Sequence, residues 1–135
     1  MANTFHLQIV TPDGLAFDGE TESLIVKTTQ GDVGILSGHA DYFAAISVGR
    51  IRVKNPDGSY RKAAVNGGFL RVTKEVTRVV ATSFEWADQI DLERAQRAKS
   101  GAEKALASAS DPGEVELLKL RLRRANNRIN VVEGK

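Results

Sequence analysis

The sequence predicts an α+β protein: an antiparallel β-sandwich over residues 1–86, followed by a two-helix hairpin over residues 87–135. Three observations carry this. Before residue 87, runs of β-branched and aromatic residues recur every ~8–12 positions with turn signals between them, the mark of an antiparallel sandwich. After it, Ala95, Ala98, Ala102, Ala105 and Ala109 repeat at heptad spacing, as do Val115, Leu118, Leu122, Ala125 and Ile129. Between the two series stands Asp111-Pro112-Gly113-Glu114, which combines a helix cap, a residue suited to the first helical position and a capping-box acid.

The strands follow in order. Phe5, Leu7 and Ile9 alternate with His6, Gln8 and Val10, as in a half-buried strand. Thr11-Pro12-Asp13-Gly14 is turn chemistry, with Pro presetting φ and Gly accepting φ > 0. Residues 24–29 are rich in β-branched side chains. Ile35 and Leu36 form a short strand after Gly31 and Gly34. Ile51 and Val53 alternate with Arg50, Arg52 and Lys54, and Asn55-Pro56-Asp57-Gly58 turns them onto residues 60–65. Residues 69–72 and 76–81 complete the set. Gly67-Gly68 marks a close backbone approach or a bulge.

In the helical half, Asp88 and Asp91 are both candidate caps for a first helix ending near Ala109. Gly101 weakens it by ~1 kcal/mol relative to Ala. The second helix runs from Pro112 to about Val131. A seam lined by Ala on one side lets the backbones approach closely. At ~25 cal/mol per Å², Ala methyls contribute little burial energy, so the hairpin closes weakly and can open to a competing partner. A static hairpin is the alternative.

Composition narrows the function. With 135 residues the chain holds one or two small domains, and its net charge is +2. There is no cysteine, which excludes disulfide and thiolate chemistry and suits a cytosolic location. No apolar run reaches the ~18 residues of a membrane span, and the N-terminal residues from Met1 to His6 lack the basic and apolar regions of a signal peptide. His6 and His39, the only histidines, make a poor metal site; His39 reads as a loop hydrogen-bonding residue. No nucleophile elbow or Walker loop is present. The charge is local instead. Lys119, Arg121, Arg123, Arg124 and Arg128 fall within ten residues that contain no acid, a face fit for an acidic protein, a phosphate or a nucleic acid, or simply for water. Arg124 and Arg128 lie one turn apart and repel, so an acid or an anion should compensate them.

Four stretches, in order, carry a resemblance: Val10-Thr11-Pro12-Asp13-Gly14, Gly31-Asp32-Val33-Gly34-Ile35-Leu36-Ser37-Gly38-His39-Ala40, Gly67-Gly68-Phe69-Leu70-Arg71-Val72 and Ile90-Asp91-Leu92-Glu93-Arg94-Ala95. With them the chain resembles the epsilon subunit of bacterial F-type ATP synthase, homologous to the mitochondrial delta subunit. Ser37 and Asp41 depart from the prolines usual there. The resemblance implies a non-catalytic rotor subunit that needs no cofactor and helps couple proton flow to ATP synthesis. It implies a sandwich bound to the gamma subunit and the c-subunit ring, at the cytoplasmic face of the cell membrane and attached only through the complex. It implies a hairpin that lies folded or extends toward the alpha/beta catalytic head and blocks hydrolysis, with Lys119, Arg121, Arg123, Arg124 and Arg128 meeting acidic residues of beta. It also implies ATP as a regulatory ligand, held by Glu85, Ile90, Asp91, Arg94, Ala95, Arg124 and Arg128. The competing reading of Asp91 and Arg94 is that one caps the helix and the other decorates it. The alternative function is a small sandwich module that contacts nucleic acid through its basic helix, against which stand the few aromatics and the small net charge.

Overall fold

Thr11 starts the first hairpin: its hydroxyl accepts from the Asp13 amide and donates to the Gly14 carbonyl, while Gly14 takes a φ of 114° that suits glycine. The computed structural model describes residues 3–134; Met1 and Ala2 of the N-terminal stretch read above, and Lys135, lie outside them. Strand β1 (Phe5–Thr11) pairs antiparallel with β2 (Gly14–Thr21), with a register shift at Ile9/Val10. The sequence reading missed β2. Its Asp18, Gly19 and Glu20 are poor strand formers, and pairing with β1 overrides that preference.

β3 (Ser23–Thr28) and β4 (Gly31–Leu36) form the second hairpin. β5 (Tyr42–Lys54) and β6 (Tyr60–Val72) form the third, both 13 residues long, joined at residues 55–59. β7 (Thr77–Ala81) and β8 (Phe84–Trp86) follow. β8 was also unread, being only three residues long. The hydrogen-bonded order is β2-β1-β7-β6-β5-β3-β4, with β8 on β6. One pair departs from the antiparallel expectation: β1 and β7 run parallel.

The two long strands bend this path into a sandwich. Ala63, Ala64 and Val65 of β6 face β8, whereas residues 68–72 face β7. The switch occurs at Gly67 and Gly68, with φ of 95° and 125°. A Cβ on Gly68 would lie 1.9 Å from the Val80 carbonyl oxygen, so no other residue fits. The close approach read from sequence is therefore real. The interior between the layers holds Leu7, Ile9, Leu24, Val26, Ile35, Ile51, Val53, Leu70 and Val79, all without solvent contact. At the edge, Trp86 meets Phe17 and Phe84 edge-on, and the Arg61 guanidinium lies 3.6 Å from its ring centre.

The chain divides into two compact units, one ending at Trp86 and the other starting at Ala87. The second begins with a 3₁₀ turn, Ala87–Gln89, then α1 (Leu92–Ser108) and α2 (Pro112–Glu133). Asp91, not Asp88, caps α1, accepting from the Arg94 amide at 3.1 Å. Asp111 caps α2 through the Glu114 amide at 3.0 Å. Left-handed Gly134 stops α2 two residues beyond the expected end.

The seam needs one correction. α2 presents Val115, Leu118, Leu122, Ala125 and Ile129 as expected, all buried or half-buried. On α1, Ala95 and Ala102 are buried, but Ala98 is exposed. The inner stripe is Leu92, Ala95, Lys99, Ala102, Leu106 and Ala109, still at heptad spacing. The alanine series had crossed from this stripe onto its flank. Lys99 is half-buried in that stripe, as a long side chain with an apolar stem and a charged end can be.

Candidate functional site

A three-residue link, Ala109 to Asp111, makes the two packed helices antiparallel neighbours. Arg94 lies about as far before that link as Arg124 and Arg128 lie after it. At 1.5 Å rise per residue all three cations belong to the open end of the hairpin. The 3₁₀ turn also packs on α2 at that end. Ala95, Ala125 and Ile129 are buried nearby in the seam.

The five basic residues of α2 differ in environment. Lys119, Arg121 and Arg123 are exposed, and Lys119 pairs with Glu116 at 3.8 Å. Arg124 and Arg128 are half-buried. The Arg124 Nε is buried without a hydrogen-bond partner. An unmet buried donor costs ~1–3 kcal/mol, more when charged, so this atom is primed for an acceptor. Arg94 is exposed in the first turn of α1, where a cation is disfavoured by the helix dipole. Asp91 is already occupied as the cap. The half-buried Ile90 donates its amide to Ala87. Glu85 belongs to the first unit, in β8 opposite Ala64.

In the sandwich, the outer face of the β2-β1-β7-β6-β5 layer is unusual, and sequence reading missed it. The registers align Leu15, Val10, Val80, Phe69 and Ala45 in one row across five strands. Beside it runs Asp18, Gln8, Arg78, Arg71 and Phe43. Leu15 and Phe43 are 59% and 65% exposed, far more than apolar side chains on an ordinary sheet face. Phe43 and Phe69 stack at 5.4 Å.

Two histidine contacts also lie on this unit, the first of them to Asp18 of that row. His6 Nε2 contacts Asp18 Oδ1 at 2.5 Å, and that hydrogen bond holds the Asp18 carboxyl below its usual range. His39 donates from Nδ1 to its neighbour's carbonyl, Ala40 O, at 2.7 Å and meets Tyr42 edge-on, the loop role expected of it. Both histidines line an open cleft of about 710 Å³ together with Glu20, Ser37, Asp41 and Lys74. Among the described residues no three His, Asp or Glu side chains gather as metal ligands.

Residues 4–87 match the family model of the ATP synthase delta/epsilon chain β-sandwich domain, and residues 88–133 match that of its long α-helix domain. The ATP synthase epsilon chain of Ruminococcus albus is 42% identical over 132 residues, covering 97% of this chain and 98% of that one. The chain belongs to the ATP synthase delta/epsilon family. The epsilon chain of Bacillus velezensis is 41% identical over 95% of this chain and 96% of its own length. That of Staphylococcus aureus is 39% identical over 98% and 99%.

Solved structures share the fold. A chain of the Euglena gracilis mitochondrial ATP synthase, in an OSCP/F1/c-ring assembly, superposes with a TM-score of 0.83 at 19% identity, covering 92% of this chain and 78% of that one. A chain from the central stalk and c-ring of the Tetrahymena thermophila mitochondrial enzyme gives 0.63 at 14% identity, covering 97% and 98%. Family membership makes the protein a non-catalytic subunit of ATP synthase. No described helix is long and apolar enough to cross a membrane.

Proposed function

We propose that this epsilon-family chain is a central-stalk subunit with a sandwich that couples and a hairpin that regulates. Residues 1–86 form the rotor-binding domain, seated on the gamma subunit and the c-subunit ring at the cytoplasmic face of the membrane, and held there only through the complex. In this role the domain helps couple proton flow to ATP synthesis. Residues 87–135 form the regulatory domain. Extended toward the alpha/beta head, α2 inhibits hydrolysis, with Lys119, Arg121, Arg123, Arg124 and Arg128 facing acidic residues of beta. Folded, the hairpin binds ATP as a regulatory ligand through Glu85, Ile90, Asp91, Arg94, Ala95, Arg124 and Arg128.

The observation that carries this reading is the buried Arg124 Nε without an acceptor, in a hairpin closed partly by alanines. A phosphate oxygen at that atom would supply the missing acceptor and offset the Arg124–Arg128 repulsion. A ligand that binds only the closed hairpin draws the population toward it. ATP abundance then favours the non-inhibitory form, and scarcity frees the arm. Asp91 acts first as a helix cap, so its hydrogen-bonding capacity for a nucleotide is limited to the carboxylate positions left over.

Calorimetric titration of the whole chain with ATP tests the ligand role. Saturable heat at millimolar ATP that is lost in Arg124→Ala is expected. No heat, or equal binding by Arg124→Ala, would reject it.

A further inference from the structure

We infer that the outer face of the β2-β1-β7-β6-β5 layer docks a protein segment that brings a carboxylate to Arg71 and Arg78 and an apolar surface to the row beside them. This deepens the central-stalk reading and rests on it, since it states what the stalk partner must present. Arg71 and Arg78 are direct cross-strand neighbours, both exposed on the same face. Like charges so placed oppose each other. Arg78 donates from Nε and a terminal nitrogen to Gln8 Oε1 at 3.1 and 2.9 Å. Gln8 is a neutral acceptor, so it orients the guanidinium without cancelling its charge. The acid of that row, Asp18, is engaged by His6. The Arg71 side chain has no ion pair among the described residues.

In water this arrangement is tolerable because solvent and salt screen the two charges. It is not tolerable beneath a partner. A segment covering Leu15, Val10, Val80, Phe69 and Phe43 also removes water from Arg71 and Arg78, and burying unpaired cations is strongly unfavourable. Only an acid arriving with the apolar surface makes the contact favourable. The two guanidiniums suit a carboxylate, which accepts two parallel N–H bonds from an Arg fork. The flanking Phe43–Phe69 stack supplies the aromatic anchor typical of a contact centre.

The test uses the full chain and the ATP synthase complex stripped of it, with affinity measured at low and high salt. Arg71→Glu with Arg78→Glu should weaken binding by about tenfold or more and flatten its salt dependence. Phe43→Ser with Phe69→Ser should weaken binding while keeping the salt dependence. Arg71→Ala should bind more weakly yet melt no lower than the parent, because its loss relieves repulsion in the free chain. Unchanged affinity of the charge-reversed chain, with the parent binding normally, would overturn the inference and leave the stalk reading standing. Failure of the parent to bind the stripped complex would overturn both. Self-association through this face, or a salt-dependent shift with DNA or RNA that the charge reversal abolishes, would also overturn the inference.

Discussion

Gly68 shows how much one residue decides here. Its left-handed φ and its approach to the Val80 carbonyl let β6 pass from β8 to β7. Gly68→Ala forces an overlap with backbone that no rotamer relieves. Chemical denaturation should show a loss of about 4 kcal/mol or more, the range of the most disruptive substitutions. The helix caps are milder. Asp111→Ala should cost ~1 kcal/mol of hairpin stability, whereas Asp111→Asn, an equally good cap, should cost almost nothing; circular dichroism melts of the two distinguish a cap from a charge effect. Asp18 sets a pH dependence. Its native carboxyl is held below the ordinary value by His6, so its contribution is complete above about pH 3.9 and is lost as pH falls through the lowered native value. Unfolding midpoints measured across that acid range should fall less steeply in His6→Ala than in the parent.

At the scale of elements, hydrophobic patterning was readable where residue type and environment agree. β3 and β7 are β-branched and buried, and both were legible. The first half of β5 was not, because Ala44, Ala45, Ser47 and Gly49 are weak strand formers that β6 holds in place. The parallel β1–β7 pair joins segments far apart in the chain, and local patterning is blind to it. On α1 the alanines were correctly read as a helical face but assigned to the wrong stripe, since Leu92, Lys99 and Leu106 share the seam with Ala95 and Ala102. The seam is therefore firmer than an all-alanine one and still light. Gly101 is exposed with open space where a Cβ would go, so Gly101→Ala should raise hairpin stability by ~1 kcal/mol in thermal melts without touching the seam.

At the scale of the whole molecule, the basic run on α2 was legible as a charge cluster, but its division into exposed Lys119, Arg121 and Arg123 and half-buried Arg124 and Arg128 required the packed hairpin. The docking face was invisible for a stricter reason. Leu15, Val10, Val80, Phe69 and Ala45 are scattered along the chain between positions 10 and 80 and meet only through strand pairing. The molecule thus places two kinds of feature on two units: a sheet face with an apolar row and two adjacent arginines, and a helical hairpin whose open end carries a buried Arg124 Nε without an acceptor. The core of the first unit, from Leu7 to Trp86, is built from its own residues. ATP hydrolysis by the complex, reassembled with either the full chain or a chain ending at Trp86, tests the regulatory arm most directly. The truncated chain should still assemble and hydrolysis should rise; equal hydrolysis rates from the two assembled complexes would contradict the account.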